Sequence, residues 1–395
     1  MSNDASQPLY QQIYQDLVAG IRAGTWKDGD RLPSEKELAD QYHVSRITSK
    51  KALEMLSTAG CIQRIPGKGS FVQQGASAAG TLPGEPATSA ARSGDRNRPL
   101  LIGLIMPDFD ATYGIGLLAG VEKACAEQGI FLILRRSYGD QKMEERSIEE
   151  VMLLGVDGIL IMPVHGEHYA PKILRLILEG FPLVFVDRRL RGLNAPFVGT
   201  DNLEAARHAT DYLLNAGHRC ISFLSPSCDH NTAIEDRTEG FVKSHAAHGI
   251  AIDETLWLSN LTATLPGLST PEVIQQDVQA IQDLIRNRQE ITCLFAAEYN
   301  IALLAASAVR SLGLRIPEDI SLVCFDSPGN FMHDHAFTHL RQREAYMGET
   351  AVGLLLRQIR RESGPTESIL LEADLILGSS TGSQPGSRMN PAIGS

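Results

Sequence analysis

Between residues 101 and 325 the chain alternates short, uninterrupted apolar runs with amphipathic stretches, and this alternation restricts it to one kind of architecture. The runs at 101–106, 131–134, 158–162, 183–186, 220–224, 292–296 and 321–325 read as strands buried on both faces. Helical patterns at 113–128, 143–154, 171–179, 203–216, 235–247, 271–288 and 301–312 lie between or after them. Strands without a polar face must be covered on both sides, which predicts parallel sheets flanked by helices. Two such sets meet near Asp187 to Asp201, so two similar lobes are expected. Ligands of open α/β sheets bind beyond the strand C-terminal ends, and a two-lobed version encloses its ligand in a cleft.

Residues that follow strands are therefore the candidates for binding. Asp108 and Asp110 follow the first strand, with Tyr113 close behind, and Arg135 and Arg136 follow the second. Asp187 and Arg188 follow the fourth strand, Asp326 follows Phe325, and Arg237 begins a helix after a loop. Carboxylates that accept two hydroxyls, a forked guanidinium and a stacking aromatic form the set a polyhydroxylated ligand requires. Each residue alone has a structural alternative, because a carboxylate at a strand end also caps the following helix.

A different pattern occupies residues 31–72. Ser34 with Glu37 is a capping box opening a short helix through Leu38, Ala39 and Tyr42. His43-Val44 makes a turn, Ser45 caps a second helix running to about Ala59, and Gly60 stops it. Ala52, Leu53 and Leu56 face a small core, while Arg46, Thr48, Lys50 and Lys51 lie largely off that stripe. Two short strands follow, joined by Pro66-Gly67-Lys68-Gly69, and Arg64 and Lys68 make the hairpin basic. Upstream, Leu9, Ile13, Leu17 and Ile21 form an apolar stripe on a leading helix. Between Gln41 and Gln73 the only carboxylate is Glu54, in a chain whose net charge is −11. A local basic face on an acidic protein is the electrostatic footprint of a nucleic-acid site. A helix of this kind fits the major groove, where Arg46 can fork to guanine and the lysines can pair with phosphates.

Residues 8–72 resemble the winged helix-turn-helix of the GntR family of bacterial transcription regulators. The resemblance rests on Pro8-Leu9-Tyr10, Gly29-Asp30-Arg31-Leu32-Pro33-Ser34-Glu35, Val44-Ser45-Arg46, Lys51-Ala52-Leu53 and Gly67-Lys68-Gly69-Ser70-Phe71-Val72. It implies DNA contacts from Lys36, Ser45, Arg46, Thr48, Lys50 and the wing tip at Gly67. Tyr10, Arg31, Ile47, Lys51, Arg64, Lys68 and Gly69 complete the expected face. Two positions depart from the family pattern. Ile47 replaces a usual Thr and offers an apolar contact to a thymine methyl. Ser49 replaces an apolar residue, which predicts looser packing under the helix.

Residues from 101 to about 381 resemble the sugar-responsive core of the LacI/GalR repressors, itself similar to periplasmic sugar-binding proteins. The matching pieces are Ile102-Gly103-Leu104-Ile105, Val156-Asp157-Gly158-Ile159, Phe185-Val186-Asp187-Arg188, Gly217-His218-Arg219, Asp236-Arg237 with Gly240-Phe241, and Ile316-Pro317-Glu318-Asp319-Ile320-Ser321. This likeness implies a cleft lined by Tyr113, Arg188, Arg237, Asp326 and Gln342. Where the family has Asn-Asp, this chain has Glu298-Tyr299, bringing a carboxylate to the cleft. A GntR-type reader joined to a LacI-type core resembles the L-arabinose-responsive repressors of bacteria.

The expected class is α/β: an N-terminal winged helix-turn-helix (1–73), a flexible linker (74–98) poor in large apolar residues, a two-lobed periplasmic-binding-protein-like domain of parallel sheets flanked by helices (99–381), and a disordered tail (382–395). No apolar run is long enough to cross a bilayer, no signal peptide is evident, and the six cysteines form no C-x-x-C pair, which fits a reducing cytoplasm. His333-Asp334-His335 with His339 matches no strong zinc signature, and no Walker loop or G-x-S-x-G elbow occurs. The expectation is a homodimeric regulator, a repressor, that binds double-stranded operator DNA and a small sugar-like effector, with no metal, cofactor or membrane partner. A small-metabolite enzyme or an activator carrying the same reader are the alternatives. Arg46→Ala should cost about 1–3 kcal/mol of operator binding, tenfold or more in gel-shift affinity, and leave effector binding unchanged. Unchanged operator affinity would remove Arg46 from the recognition surface.

Overall fold

The computed structural model describes residues 9–22, 24–58, 61–65, 68–73, 98–164, 171–190, 192–227, 231–328, 337–362 and 367–383. The chain divides into two compact units, Met1–Arg98 and Pro99–Ser395. Most of the expected linker (74–97) and tail (384–395), Gly60, Gly67 and the His333-Asp334-His335 run lie outside the described residues.

In the first unit, helices α1 (Leu9–Arg22), α2 (Glu35–Tyr42) and α3 (Arg46–Thr58) precede a hairpin of β1 (Ile62–Ile65) and β2 (Gly69–Val72). The stripe on α1 is real: Ile13, Leu17 and Ile21 are buried, although Leu9 is exposed. They share the core with Leu38, Ala52, Leu53 and Leu56. Both halves of the Ser34–Glu37 capping box are present, and His43 ends α2 in the left-handed conformation, making the turn. Residues 29–32 add a third extended segment to the hairpin, with Leu32 N donating to Ser70 O and Val72 N to Asp30 O, both at 2.9 Å. Ser49 does not loosen the packing. It is fully buried, and its hydroxyl donates to the Glu35 carbonyl at 2.6 Å, pinning α3 to the start of α2.

Among the described residues the second unit holds two six-stranded sheets. The first contains β3 (Leu101–Met106), β4 (Phe131–Arg136), β5 (Gly158–Ile161), β6 (Leu183–Val186) and β7 (Phe197–Thr200), with α4 (Ile115–Glu127), α5 (Gln141–Leu153) and α6 (Pro171–Leu178) between them. The second contains β8 (Ile221–Pro226), β9 (Leu258–Leu261), β10 (Cys293–Ala296), β11 (Ser321–Phe325) and β12 (Thr338–Arg341). Its helices are α7 (Asn202–Asn215), α8 (Thr232–Ala247), α9 (Pro271–Asn287) and α10 (Tyr299–Ser311). Each sheet is then completed by a late element: β13 (Ser368–Leu371) joins the first in parallel beside β7, and β14 (Asp374–Ile376) joins the second antiparallel to β12. Helix α11 (Glu344–Ile359) packs back on the first lobe, where Met347, Ala351 and Leu355 enter the core around Leu104, Val121 and Leu160.

The chain therefore crosses between lobes three times, at Thr200–Asn202, after β12 and after β13, rather than at the single junction expected near Asp187 to Asp201. The C-terminal edge is tied in through Gly382, whose N–H donates to Ser321 Oγ at 3.0 Å and whose carbonyl lies 3.0 Å from His218 Nε2. Helices α4 and α11 meet through glycines. A Cβ on Gly120 would lie 2.0 Å from the Ala345 carbonyl oxygen, and one on Gly348 2.5 Å from the Leu117 oxygen. Glu344 finishes the joint by accepting from the Gly114 N–H at 2.7 Å, capping α4 from another helix. Since backbone cannot retreat as a side chain can, Gly120→Ala should destabilise the second unit by about 1–3 kcal/mol, read as a lower urea midpoint. An unchanged midpoint would show that the two helices are not in this register.

Candidate functional sites: a DNA-reading face and an inter-lobe cleft

The first unit presents a set of exposed polar groups at the start of α3. Ser45 caps α3 through the Thr48 N–H at 3.2 Å, and the two hydroxyls share a hydrogen bond at 2.8 Å. Lys36, Arg46, Lys50 and Lys51 are exposed, as is Lys68 on the hairpin. Lys50 lies 3.7 Å from Glu54, and the Lys51 ammonium sits 4.1 Å above the Tyr10 ring, which fixes Tyr10 beside the recognition helix. Arg31 bridges to Phe71 and lays its guanidinium over Gly69, where any Cβ would be 3.0 Å from Nε. Ile47 lies on α3, although its side chain, like all of Gly67, falls outside the described residues.

Arg64, expected on the basic face, is exposed and also has carboxylate partners: its guanidinium pairs with Glu35 and lies 3.6 Å from Glu54, which fastens β1 to α2 and α3. Glu35 lies outside the 41–73 window in which Glu54 is the lone carboxylate, so local charge counting misses this partner.

In the second unit the strand C-terminal ends of the two lobes face one cavity of about 480 Å³. Asp110, Tyr113, Asp187, Arg188, Arg237, Glu298, Asp326 and Gln342 all line it. Arg136 does not: it pairs with Asp108 and stacks on Phe109 and Tyr138, at 5.0 and 4.7 Å from their ring centres, holding up the cleft wall from behind. The cavity also takes in Asn231, Thr264, Tyr299 and Asn300, which sequence periodicity did not mark because they sit in loops or at helix starts.

Arg237 is the most constrained group in the cleft. It is 4 % exposed, donates through Nε to Asn202 Oδ1 at 2.7 Å and through Nη1 to the Ala297 carbonyl at 2.6 Å, and lies 3.8 Å over the Phe325 ring. Asp326 follows that ring. Gln342 donates to Asp326 Oδ1 at 2.8 Å and accepts from Thr200 Oγ1 at 2.6 Å, so a buried chain of hydrogen bonds joins Asp326 to two lobe-crossing segments. In the other lobe Asp187 accepts from the Tyr113 hydroxyl and from Arg188 Nε, the latter at 3.2 Å.

Asp187 and Asp326 occupy matching positions. Each follows a strand ending in the interior, each is buried, and each has a left-handed backbone, with φ of 64° and 66°. Such a conformation costs a non-glycine residue about 1–3 kcal/mol and persists where surrounding structure enforces it, commonly at ligand clamps. The lobes also touch across the cleft: Asn300 Nδ2 donates to Asp110 at 3.2 Å, and Arg189 N donates to Thr232 Oγ1 at 3.4 Å.

The electrostatics follow from burial. Desolvation raises the Asp326 carboxyl to about 7, against the pull of Arg237 and the Gln342 hydrogen bond. Burial likewise raises Glu298, with Arg237 opposing, and raises Glu144, which accepts from Val164 N at 2.7 Å, to about 7. Of these, Asp326 and Glu298 line the cavity, where the groups of a hydroxylated ligand can replace the water that burial removes. His339 is buried in β12 with Nδ1 3.0 Å from the Phe337 carbonyl, a position inside the sheet.

Together these two units define a DNA-binding transcriptional regulator whose second domain is built to enclose a small ligand. Residues 9–72 match the gntR family of bacterial regulatory proteins, and residues 210–381 match the periplasmic binding protein-like domain. The chain is 26% identical over 384 residues to an arabinose metabolism transcriptional repressor of Geobacillus stearothermophilus, covering 95% of this chain and 98% of that protein. In fold it is similar to the transcription regulator CcpA of Lactococcus lactis, at 22% identity and a TM-score of 0.63 over 72% of this chain and 100% of that one. It is also similar to a CelR–cellobiose complex, at 21% identity and a TM-score of 0.63 over 88% and 100% of the two chains.

A carboxyl whose folded pKa is raised holds its proton more tightly in the native than in the unfolded state. Stability therefore falls as pH rises from about 4, the usual carboxylate value, to about 7, and is flat beyond. Asp326→Asn should reduce the loss between pH 5 and 8 in urea unfolding of the protein, with Glu144 supplying a remainder of the same sign. A slope identical to that of the unsubstituted protein would place Asp326 in water.

Proposed function

We propose that the protein is a ligand-responsive transcriptional repressor that acts in the cytoplasm as a homodimer. It binds operator DNA through α3 and the hairpin and takes a small sugar-like effector in the inter-lobe cleft. The observation that carries the effector half is the convergence of Arg237, Asp326, Asp187 and Tyr113 on one cavity from both lobes. Forked guanidinium, bidentate carboxylates and an aromatic ring are the groups that recognise a polyol. The arabinose repressor in the relative's name makes a pentose the first effector to test. A recognition helix reads only a few bases, so two half-sites bound by a dimer supply the specificity one copy lacks.

The cleft is a sensor in this reading, and binding does the work. A ligand that contacts both lobes stabilises their closed arrangement, and the Thr200–Gln342–Asp326 chain carries that preference into the crossing segments. DNA affinity changes to the extent that the ligand prefers one arrangement. Thermal-shift screening of pentoses and hexoses, L-arabinose first, should find a ligand that raises the unfolding temperature and is recovered unchanged. Turnover of the hit would make the protein an enzyme with a DNA-binding appendage. Arg237→Ala should keep operator affinity within about threefold, less than 1 kcal/mol, and lose release by that ligand. Release at unchanged ligand concentration would remove Arg237 from the effector site.

A further inference from the structure

One wall of the cleft carries polar groups whose hydrogen bonding the fold leaves incomplete. Glu298 ends β10 and stands at the start of α10, yet its side chain makes no capping hydrogen bond to that helix. Arg237 is the cation that most favours its charged form, but the guanidinium hydrogens described above go to Asn202 and the Ala297 carbonyl. Thr264 faces the same carboxylate from the loop after β9, close enough to favour its charge. The Thr264 hydroxyl oxygen is nonetheless buried without completing a hydrogen bond of good geometry. Both residues line the cavity. A buried hydroxyl left incomplete beside a carboxylate is a costly arrangement unless a further group completes it.

The wider charge balance points the same way. The cavity is lined by five carboxylates, Asp108, Asp110, Asp187, Glu298 and Asp326, against the guanidiniums of Arg188 and Arg237. Asp108 is paired with Arg136 and Asp187 with Arg188, which leaves the carboxyls of Asp110, Glu298 and Asp326 against the one guanidinium of Arg237 among the charged lining groups.

We infer that Thr264 and Glu298 form a donor-selecting subsite, so that the effector is a neutral or amine-bearing polyol and phosphorylated or carboxylated sugars are rejected. This rests on the effector reading of the cleft given above. A ligand hydroxyl can donate to Glu298 while accepting from Thr264, and an ammonium can donate to both. A phosphate or carboxylate oxygen has no hydrogen to give Glu298 or Thr264, and it would lose its water beside groups that do not replace it.

The test is calorimetric titration of the full chain with matched probes: L-arabinose and L-arabinonate, then D-glucose, D-glucosamine, D-gluconate and D-glucose 6-phosphate. The tightest probe should be neutral or aminated, and its anionic counterpart weaker by about tenfold or more. Glu298→Gln, which keeps the shape and removes the charge, should shrink that ratio to about threefold or less. Thr264→Val, checked for an unchanged unfolding midpoint, should weaken the neutral probe and leave the order intact. An anion that binds the unsubstituted protein as tightly as its neutral partner overturns the subsite and leaves the cleft reading standing. So does a ratio that Glu298→Gln does not alter. Binding of none of the six probes overturns the cleft reading itself, and the subsite with it.

Discussion

The cleft of the ligand domain is organised around one buried cation. Arg237 sits on α8 but is held by Asn202 from the start of α7, by the Ala297 carbonyl at the end of β10, and by the Phe325 ring at the end of β11. A guanidinium that is 4 % exposed is tolerated only where hydrogen bonds and countercharge replace its water. Asp326 and Glu298 supply that countercharge, and both are pushed toward the protonated form by the same burial. The cleft is thus a tightly balanced polar cluster inside an apolar frame. Its balance is sensitive to any ligand that adds donors or displaces water.

The frame makes that sensitivity mechanically useful. Three crossings join the lobes, and the hydrogen-bonded chain from Thr200 through Gln342 to Asp326 runs across two of them. A change at the carboxylate therefore reaches the hydrogen bonds of two segments that join the lobes. The reciprocal fit of α4 and α11 through Gly120 and Gly348, with Glu344 capping the neighbouring helix, packs the first lobe closely at this joint. In the switch we propose, the lobes on this polar pivot are the two-position element that linkage requires if binding at one site is to alter affinity at another.

Much of this was legible in the sequence, for physical reasons that differ from place to place. Strands such as Leu183–Val186 announce themselves because all their residues are buried, and the Ser34–Glu37 box because capping is local. The convergence of Asp187 and Asp326 followed from the rule that parallel sheets bind beyond their strand ends, although their left-handed backbones left no mark in composition. What was missed depends on distant partners. Strand β13 pairs with β7 across some 170 residues of chain, so nothing near either one reveals the second and third crossings. The Glu35 partner of Arg64 lies 29 positions away, outside the window in which the basic face was counted. Arg136 looked like a ligand residue because it follows a strand, but Asp108 on the neighbouring strand's exit holds it behind the wall. Ser49 looked like a flaw in packing, and is a buried hydrogen bond between two helices.

In the proposed function the cleft and the DNA-reading face are two sites of one switch. Binding free energies are reciprocal, so the coupling must appear identically from either end. The most direct measurement is the effector's dissociation constant, taken by calorimetry on the free protein and again on the protein saturated with operator DNA. The two values should differ by the same factor by which saturating effector changes operator affinity. Equal values in the presence and absence of operator would show that the two sites are uncoupled.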